Sequence, residues 1–421
     1  MSDPVSFFRD AAARHPRCFW LDGGGAREWS GRRSIIGWLE DDDVSLTYDA
    51  VRREVTRHVR GTSTVVGDDP FDVLADELAA GSADDQWFGY LGYAARPDLP
   101  AHPGGPVPDA VWMRPSTVRL FDHEPPPQAP NGRYQQPAPP PGRRLVTNGG
   151  PAPASYVTAF DRVQEHLHAG NTYEVNLTHR EQIESDLDPV AAYLRLRELN
   201  PAPYAGFLQH DVEGASAWLL SSSPERYALV TGERALETKP IKGTTPRGAT
   251  PEEDEAHRFA LASDPRYRAE NLMVADLLRN DVSMVSEPGT VEVPELMVVE
   301  SYETVHQLVT TVRGRLRDDV TTIEALRALF PAGSMTGAPK LRTMEVIVEV
   351  EPTPRSAYSG AFGWIAADGR ADLGVVIRSL MTDGDGTWTL GTGGGITVHS
   401  DAESEYAEAQ LKAERLRAVF D

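Results

Sequence analysis

The stretch Glu237-Thr238-Lys239-Pro240-Ile241-Lys242-Gly243-Thr244-Thr245-Pro246-Arg247-Gly248 sets a lysine, Lys242, between a proline-stiffened strand end and a Gly-Thr turn. Only four of the 41 basic residues are lysine, at positions 239, 242, 340 and 412. Arginine stays protonated at any biological pH, whereas a desolvated lysine can release its proton and act as a nucleophile. Lys242 is therefore a candidate covalent catalyst. The structural alternative is a lysine capping a surface turn.

A chain of 421 residues has room for two or three average domains, or for one large α/β core. Its 41 basic and 63 acidic residues give a net charge of −22, which argues against nucleic acid or an anionic membrane as the main partner. An anionic substrate would then need local positive charge, from a divalent metal or a few placed Lys and Arg side chains. Cys18 is the single cysteine, so no internal disulfide is expected; its setting in Arg17-Cys18-Phe19-Trp20-Leu21 reads as a buried structural thiol. No basic-then-apolar leader and no apolar run of spanning length is read, and a cytoplasmic protein is expected.

Outward from this stretch, a short helix is predicted over 6–15 and strands over 19–22, 34–38 and 87–93. Proline crowds 124–155, which reads as an exposed connector between an N-terminal region, 1–123, and a second region, 156–421. There the pattern predicts helices over 156–169, 189–199, 269–280, 322–329 and 402–420. Strands are predicted over 173–178, 204–209, 217–222, 226–230, 296–300, 304–313, 362–366, 374–381 and 387–390. Helices and strands alternate without a regular βα period, so the fold class is α+β.

Glu405, Glu408 and Lys412 share one face of the closing helix, where two carboxylates and an ammonium can hold a divalent cation and an anion together. A solvated face with an ordinary Glu-Lys pair is the alternative. The run Gly391-Thr392-Gly393-Gly394-Gly395 lies just before it, a side-chain-free backbone able to aim N–H groups at a carboxylate. Glu270, on the apolar face of its helix, needs a partner: Mg²⁺, or Arg266 or Arg268. Glu225 begins a strand in apolar surroundings that favour general-acid work. His306 alternates with apolar residues, as a satisfied core histidine or a catalyst. The loop 331–340, with Ser334, suits anion contact at a helix start.

Taken together these motifs resemble the chorismate-utilising enzymes. The likeness is carried by Tyr173-Glu174-Val175-Asn176-Leu177, Ser223-Pro224-Glu225-Arg226, Pro240-Ile241-Lys242-Gly243-Thr244, the helix from Ala269 to Asp281, the loop 331–340, Tyr358-Ser359-Gly360-Ala361-Phe362-Gly363, Ile377-Arg378-Ser379 and Ser404-Glu405-Tyr406-Ala407-Glu408. It is strong over 155–421 and weaker N-terminally, where Trp29-Ser30 to Trp38 and Gly89-Tyr90-Leu91-Gly92-Tyr93 still look familial. The fold it implies is a large mixed or antiparallel β-sandwich flanked by helices.

Within that family Pro-Ile-Lys-Gly-Thr discriminates. The aminodeoxychorismate synthases carry lysine where the anthranilate synthases carry alanine, and Lys242 gives this chain the former likeness. Isochorismate and salicylate enzymes have a water-activating lysine at the position of Glu174, so attack by water is not implied. The resemblance implies Mg²⁺ held by Glu270 and Glu408 with Glu405 nearby. It also implies chorismate bound by Thr244, Ser334, Tyr358, Arg378, Lys412 and the backbone of Gly393, Gly394 and Gly395. Lys242 would attack C2, Glu225 would protonate the departing C4 hydroxyl, His306 would orient substrate, and ammonia would enter at C4. The ammonia would come from a separate glutamine amidotransferase subunit, since Cys18 lacks a glutaminase setting. In relatives the N-terminal region helps form a tryptophan site, from whose pattern Leu21-Asp22-Gly23-Gly24-Gly25 departs. The competing readings are an anthranilate or 2-amino-2-deoxyisochorismate synthase and a silent subunit that senses chorismate or tryptophan.

Overall fold

The computed structural model describes residues 3–25, 32–123, 150–302 and 305–421. Trp29, Ser30, Thr304 and most of the proline-rich connector lie outside the described residues. Two large antiparallel sheets face each other. The nine-stranded sheet runs, in spatial order, Gly337–Ala338, Glu174–Glu184, Thr387–Ile396, Ser379–Thr382, Ala217–Ser223, Tyr204–His210, Arg17–Asp22, Arg33–Trp38 and Thr117–Asp122. The twelve-stranded sheet begins with Ile241–Pro246, Val305–Arg315, Ala235–Lys239, Arg226–Val230, Ala371–Val375 and Ala361–Ala366. It continues through Gln86–Leu91, Ala110–Arg114, Val44–Asp49, Glu54–Val59 and Thr62–Gly67, and Glu292–Ser301 pairs alongside Val305–Arg315. Strands from the first 123 residues thus complete both sheets.

Central strands such as Arg17–Asp22, Gln86–Leu91 and Tyr204–His210 are buried almost throughout, one face against the opposite sheet and the other beneath covering elements. Phe19 stacks on Phe88 with ring centroids 4.0 Å apart, and Tyr90 and Phe362, paired across neighbouring strands, share the face of Phe88, while Trp87 and Trp112 are buried on the other face of the larger sheet. Each such ring contributes about 1.5–3 kcal/mol through burial. The helices Pro4–Arg14, Pro189–Leu199 and Ala402–Arg417 cover the outer face of the smaller sheet around Phe8, Trp20, Tyr193 and Trp388. Pro265–Val285 packs on the larger sheet, and Thr322–Leu329 packs against that helix and meets the sheet where the Tyr227 hydroxyl donates to the Leu326 carbonyl. Cys18 is buried, and burial pushes its thiol far up, as fits an inert core residue. Asp22 is buried and paired with Arg197 at 2.7 Å; beside it a cavity of about 600 Å³ is lined by Leu21, Ile35, Tyr204 and Phe362. No helix among the described residues is long and apolar enough to cross a membrane.

The α+β sandwich is the architecture the sequence predicts, and the structure changes three of its details. The predicted strand over 374–381 is two strands in different sheets, Ala371–Val375 and Ser379–Thr382, because the chain turns at Arg378 with φ 51°. The predicted strand over 387–390 continues through the glycine run to Ile396: Gly393, Gly394 and Gly395 pair with Thr178, Leu177 and Asn176. The Gly-Thr turn after Lys242 is the bulged strand Ile241–Pro246, with Gly243 at φ 94°.

Candidate active site

A bulge puts an extra residue into one strand and re-aims its side chains. Here the irregularity falls between Ile241 and Thr244, around Lys242. Lys242 is buried at the wall of a cavity that both sheets and two helices enclose, with about 120 Å³ of free volume. Its ammonium donates to Glu174 Oε1, from the facing sheet. Gly395 makes the meeting possible, since a Cβ there would overlap Glu174 Oε1 and lie 3.0 Å from Lys242 Nζ. Burial opposes the charge on Lys242, but Glu174, Glu270 and Glu225 outweigh it and its pKa is raised. This corrects the expectation of a lysine deprotonated by burial: desolvation is present, and the carboxylates around it prevail.

Glu225 is held at the start of Arg226–Val230, where its Oε1 accepts a hydrogen bond from Ser334 Oγ at 2.5 Å. Burial pushes its pKa up to about 7, against the opposing pull of Ser334, Lys242 and Lys412. Such a carboxyl can donate a proton near neutral pH. Ser334 rides on the loop before Lys340–Val350, whose Lys340 is locked to Asp281 at 2.6 Å and to the Leu329 carbonyl at 2.8 Å.

Pro265–Val285 brings Glu270, and its neighbour Asn271 ties the helix to Val305–Arg315 through the Leu308 carbonyl, 3.3 Å, and through Thr310. Burial, reinforced by Glu174 and Glu405, pushes Glu270 up to about 7 although Lys242 opposes it. Ala402–Arg417 brings Glu405, Glu408 and Lys412 to the same cavity. Burial raises Glu405, whereas Lys412, 2.9 Å from Glu408, holds that carboxyl below its ordinary value. Lys412 also donates to the Gly393 carbonyl at 2.9 Å. Among the described residues no three acidic, histidine or cysteine side chains are placed closely enough to hold a metal ion. Glu408 turns to Lys412 instead, and Arg266 stands 4.0 Å from Glu405. The three carboxylates are therefore gathered around one cavity without forming a ready ligand set.

Thr244, Ser334, Tyr358, Arg378 and Gly393 to Gly395 also line the cavity. Gly391 admits the Tyr358 ring, which a Cβ would overlap, and Arg180 lies 5.3 Å over that ring. Past Leu390 the strand Thr387–Ile396 has left its partner Ser379–Thr382, so this edge of the glycine run meets no strand among the described residues. His306 does not join the site. Its ring is buried between Asp254, 3.0 Å, and Ser301, 2.7 Å, while Gln307 faces the cavity. Successive residues of a strand point to opposite faces, which separates the two. Asn176 and Tyr267 at the cavity wall have no role in the sequence reading; Arg266 enters it only as a partner for Glu270, and Glu174 only as the position of a lysine in other enzymes, not as the partner of Lys242. The period-two spacing of Glu174 and Asn176 was the available signal.

A two-sheet α+β fold whose cavity interleaves buried carboxylates with Lys242, Arg266, Arg378 and Lys412 defines a site for a small anion. The model of the chorismate binding enzymes matches residues 16–418, and the chain belongs to that family. It is 38% identical over 466 residues to the aminodeoxychorismate synthase of Streptomyces pristinaespiralis, covering 99% of this chain and 63% of that protein. Component 1 of the Escherichia coli (strain K12) aminodeoxychorismate synthase is 43% identical over 261 residues, which cover 62% of this chain and 56% of the relative. The chain thus spans less than two thirds of these relatives. Among solved structures, anthranilate synthase component I from Streptococcus pneumoniae aligns over 93% of each chain at TM-score 0.73 and 25% identity. The Escherichia coli isochorismate synthase MenF covers all of this chain, and 92% of MenF is covered, at TM-score 0.69 and 18% identity; it shares the fold.

Proposed function

We propose that the chain converts chorismate and ammonia to 4-amino-4-deoxychorismate through a covalent adduct on Lys242, with ammonia delivered by a separate glutamine amidotransferase subunit. The observation that carries this reading is a buried lysine sharing one cavity with Glu225, a carboxyl poised near neutrality. The names of the relatives agree with it. Arg378, Lys412, Tyr358 and Thr244 hold the anionic ends of the substrate. Lys242 Nζ bonds to ring C2 as the ring double bonds shift and the C4–O bond breaks, and Glu225 gives its proton to the leaving hydroxyl, which departs as water. Ammonia then bonds to C4 and the C2–Nζ bond breaks.

The donor chemistry fits Mg²⁺, although the side chains are not placed as a ready ligand set: burial disfavours the charge of Glu270 and Glu405, and hard oxygen ligands suit that ion. Glu270, Glu405 and Glu408 would hold it. Bound, it would supply concentrated positive charge for a substrate carboxylate. Incubation with chorismate, ammonium and Mg²⁺, followed by mass spectrometry, tests the reading. A 4-amino product that keeps its enolpyruvyl group is expected, and Lys242→Ala should abolish it while chorismate still binds. Anthranilate as the product, or an active K242A, overturns the reading.

A further inference from the structure

We propose that Glu174 is the base that takes the proton from Lys242, acting from behind the nucleophile and outside the substrate cavity. The inference rests on the lysine-adduct reading above. Attack needs a neutral amine, and the Lys242 ammonium is buried at 8% exposure, so its proton has to pass to a group already in contact. Glu174 is that group: 2% exposed, hydrogen-bonded to Nζ, and behind the cavity wall that Lys242 itself helps to form.

The neighbouring acids are committed elsewhere. Glu225 must keep its proton for the leaving hydroxyl, and Glu270, Glu405 and Glu408 face the cavity from the two helices. The contact is also fixed from both sides. Val175 and Ala338, next to and opposite Glu174 in the ladder, hold the strand in register, and Gly395 leaves the space in which carboxylate and ammonium meet. Because Glu174 and Lys242 sit on different sheets, the packing of the sandwich itself sets their approach.

The step balances. A proton moves from Nζ to Glu174 Oε1, the freed lone pair forms the Nζ–C2 bond, and the C4–O electron pair leaves with the hydroxyl, which takes the Glu225 proton. When ammonia adds at C4, the C2–Nζ electrons return to the lysine. Glu174 then gives its proton back to Nζ, and Glu225 takes one from the new C4 ammonium, which resets both acids.

The test is turnover with chorismate, ammonium and Mg²⁺ by wild type, Glu174→Gln, Glu174→Ala and Lys242→Ala, with chorismate affinity measured separately. Removing a general base lowers the rate by about 100-fold or more. E174Q is expected to lose that much in kcat with unchanged chorismate affinity, and added formate is expected to restore part of the activity of E174A. A purely structural role gives no formate rescue. If K242A is inactive while E174Q turns over like wild type, or if formate restores nothing, the role of Glu174 is overturned and the lysine adduct stands. If K242A is as active as wild type, the lysine reading itself falls, and this one with it.

Discussion

At the scale of single residues, the site works by holding acids in unequal states. Glu225 sits near 7 because burial disfavours its charge more than Ser334, Lys242 and Lys412 favour it. Its protonated fraction falls as pH rises through that value, so adduct formation with chorismate alone should decline above about pH 7. The Ser334 hydroxyl, 2.5 Å from Oε1, favours the charged form. Ser334→Ala removes that preference and raises the carboxyl further. A hydrogen bond to a charged group is worth about 1.5 kcal/mol, so the declining limb should move about one pH unit to the alkaline side. Stopped-flow rates from pH 6 to 9 read this directly, and a limb that stays put or moves to the acid side removes Glu225 from the role of acid.

At the scale of elements, the strand Thr387–Ile396 shows what a sequence can and cannot disclose. Five residues that read as bare backbone free to aim N–H groups at a carboxylate are paired in register with Glu174–Glu184. Their lack of side chains serves close approach: Gly391 receives the ring of Tyr358, and Gly395 the Glu174 carboxylate. Gly395→Ala should therefore part Glu174 from Lys242 and remove most of the turnover. Its melting temperature should fall, since parting a buried ion pair leaves charges uncompensated, but the fold should be kept, because the clash falls on the far end of a side chain. Circular dichroism alongside the activity assay distinguishes this from unfolding, and wild-type turnover by G395A would contradict the arrangement. The predicted helices were legible because their apolar spacing and caps are local, as in Thr322–Leu329 with its Thr321 capping box; Pro70–Ala80 and Pro251–Ser263 were not read, the latter burying only Leu261 and so lacking an apolar stripe. The break at Arg378 was not, since a positive φ at an arginine has no local signature, and neither was the choice of Gln307 over His306, which depends on strand register. Lys242 was legible as a singular lysine, but its charge state was not, because Glu174 lies 68 residues away in the chain.

At the scale of the whole molecule, the cavity lies where strands of both sheets meet the inner faces of two helices, and it gathers charge that the fold must tolerate before any ligand arrives. Glu270 carries the clearest burden, with its pKa about 7 in the folded chain and about 4.3 in an unfolded one. A carboxylate so raised binds more protons folded than unfolded between those values. Stability therefore falls as pH rises through that window and is level above it. The loss amounts to about 4 kcal/mol for a shift of this size. Glu270→Gln keeps the shape and removes the titration, so the ligand-free variant should be more stable than wild type at pH 8 and little changed at pH 4. Its urea midpoint should lose the Glu270 share of the pH slope across the interval, leaving the share that Glu225 contributes. Mg²⁺ should stabilise wild type at pH 8, since a ligand that binds only the folded state adds to its stability, and should do so less for E270Q. Urea melts of both proteins at pH 4 and 8, with and without Mg²⁺, separate the cases. An E270Q variant less stable than wild type at pH 8 without metal would mean that Glu270 holds the fold together through Lys242, and that the cavity is built for structure before chemistry.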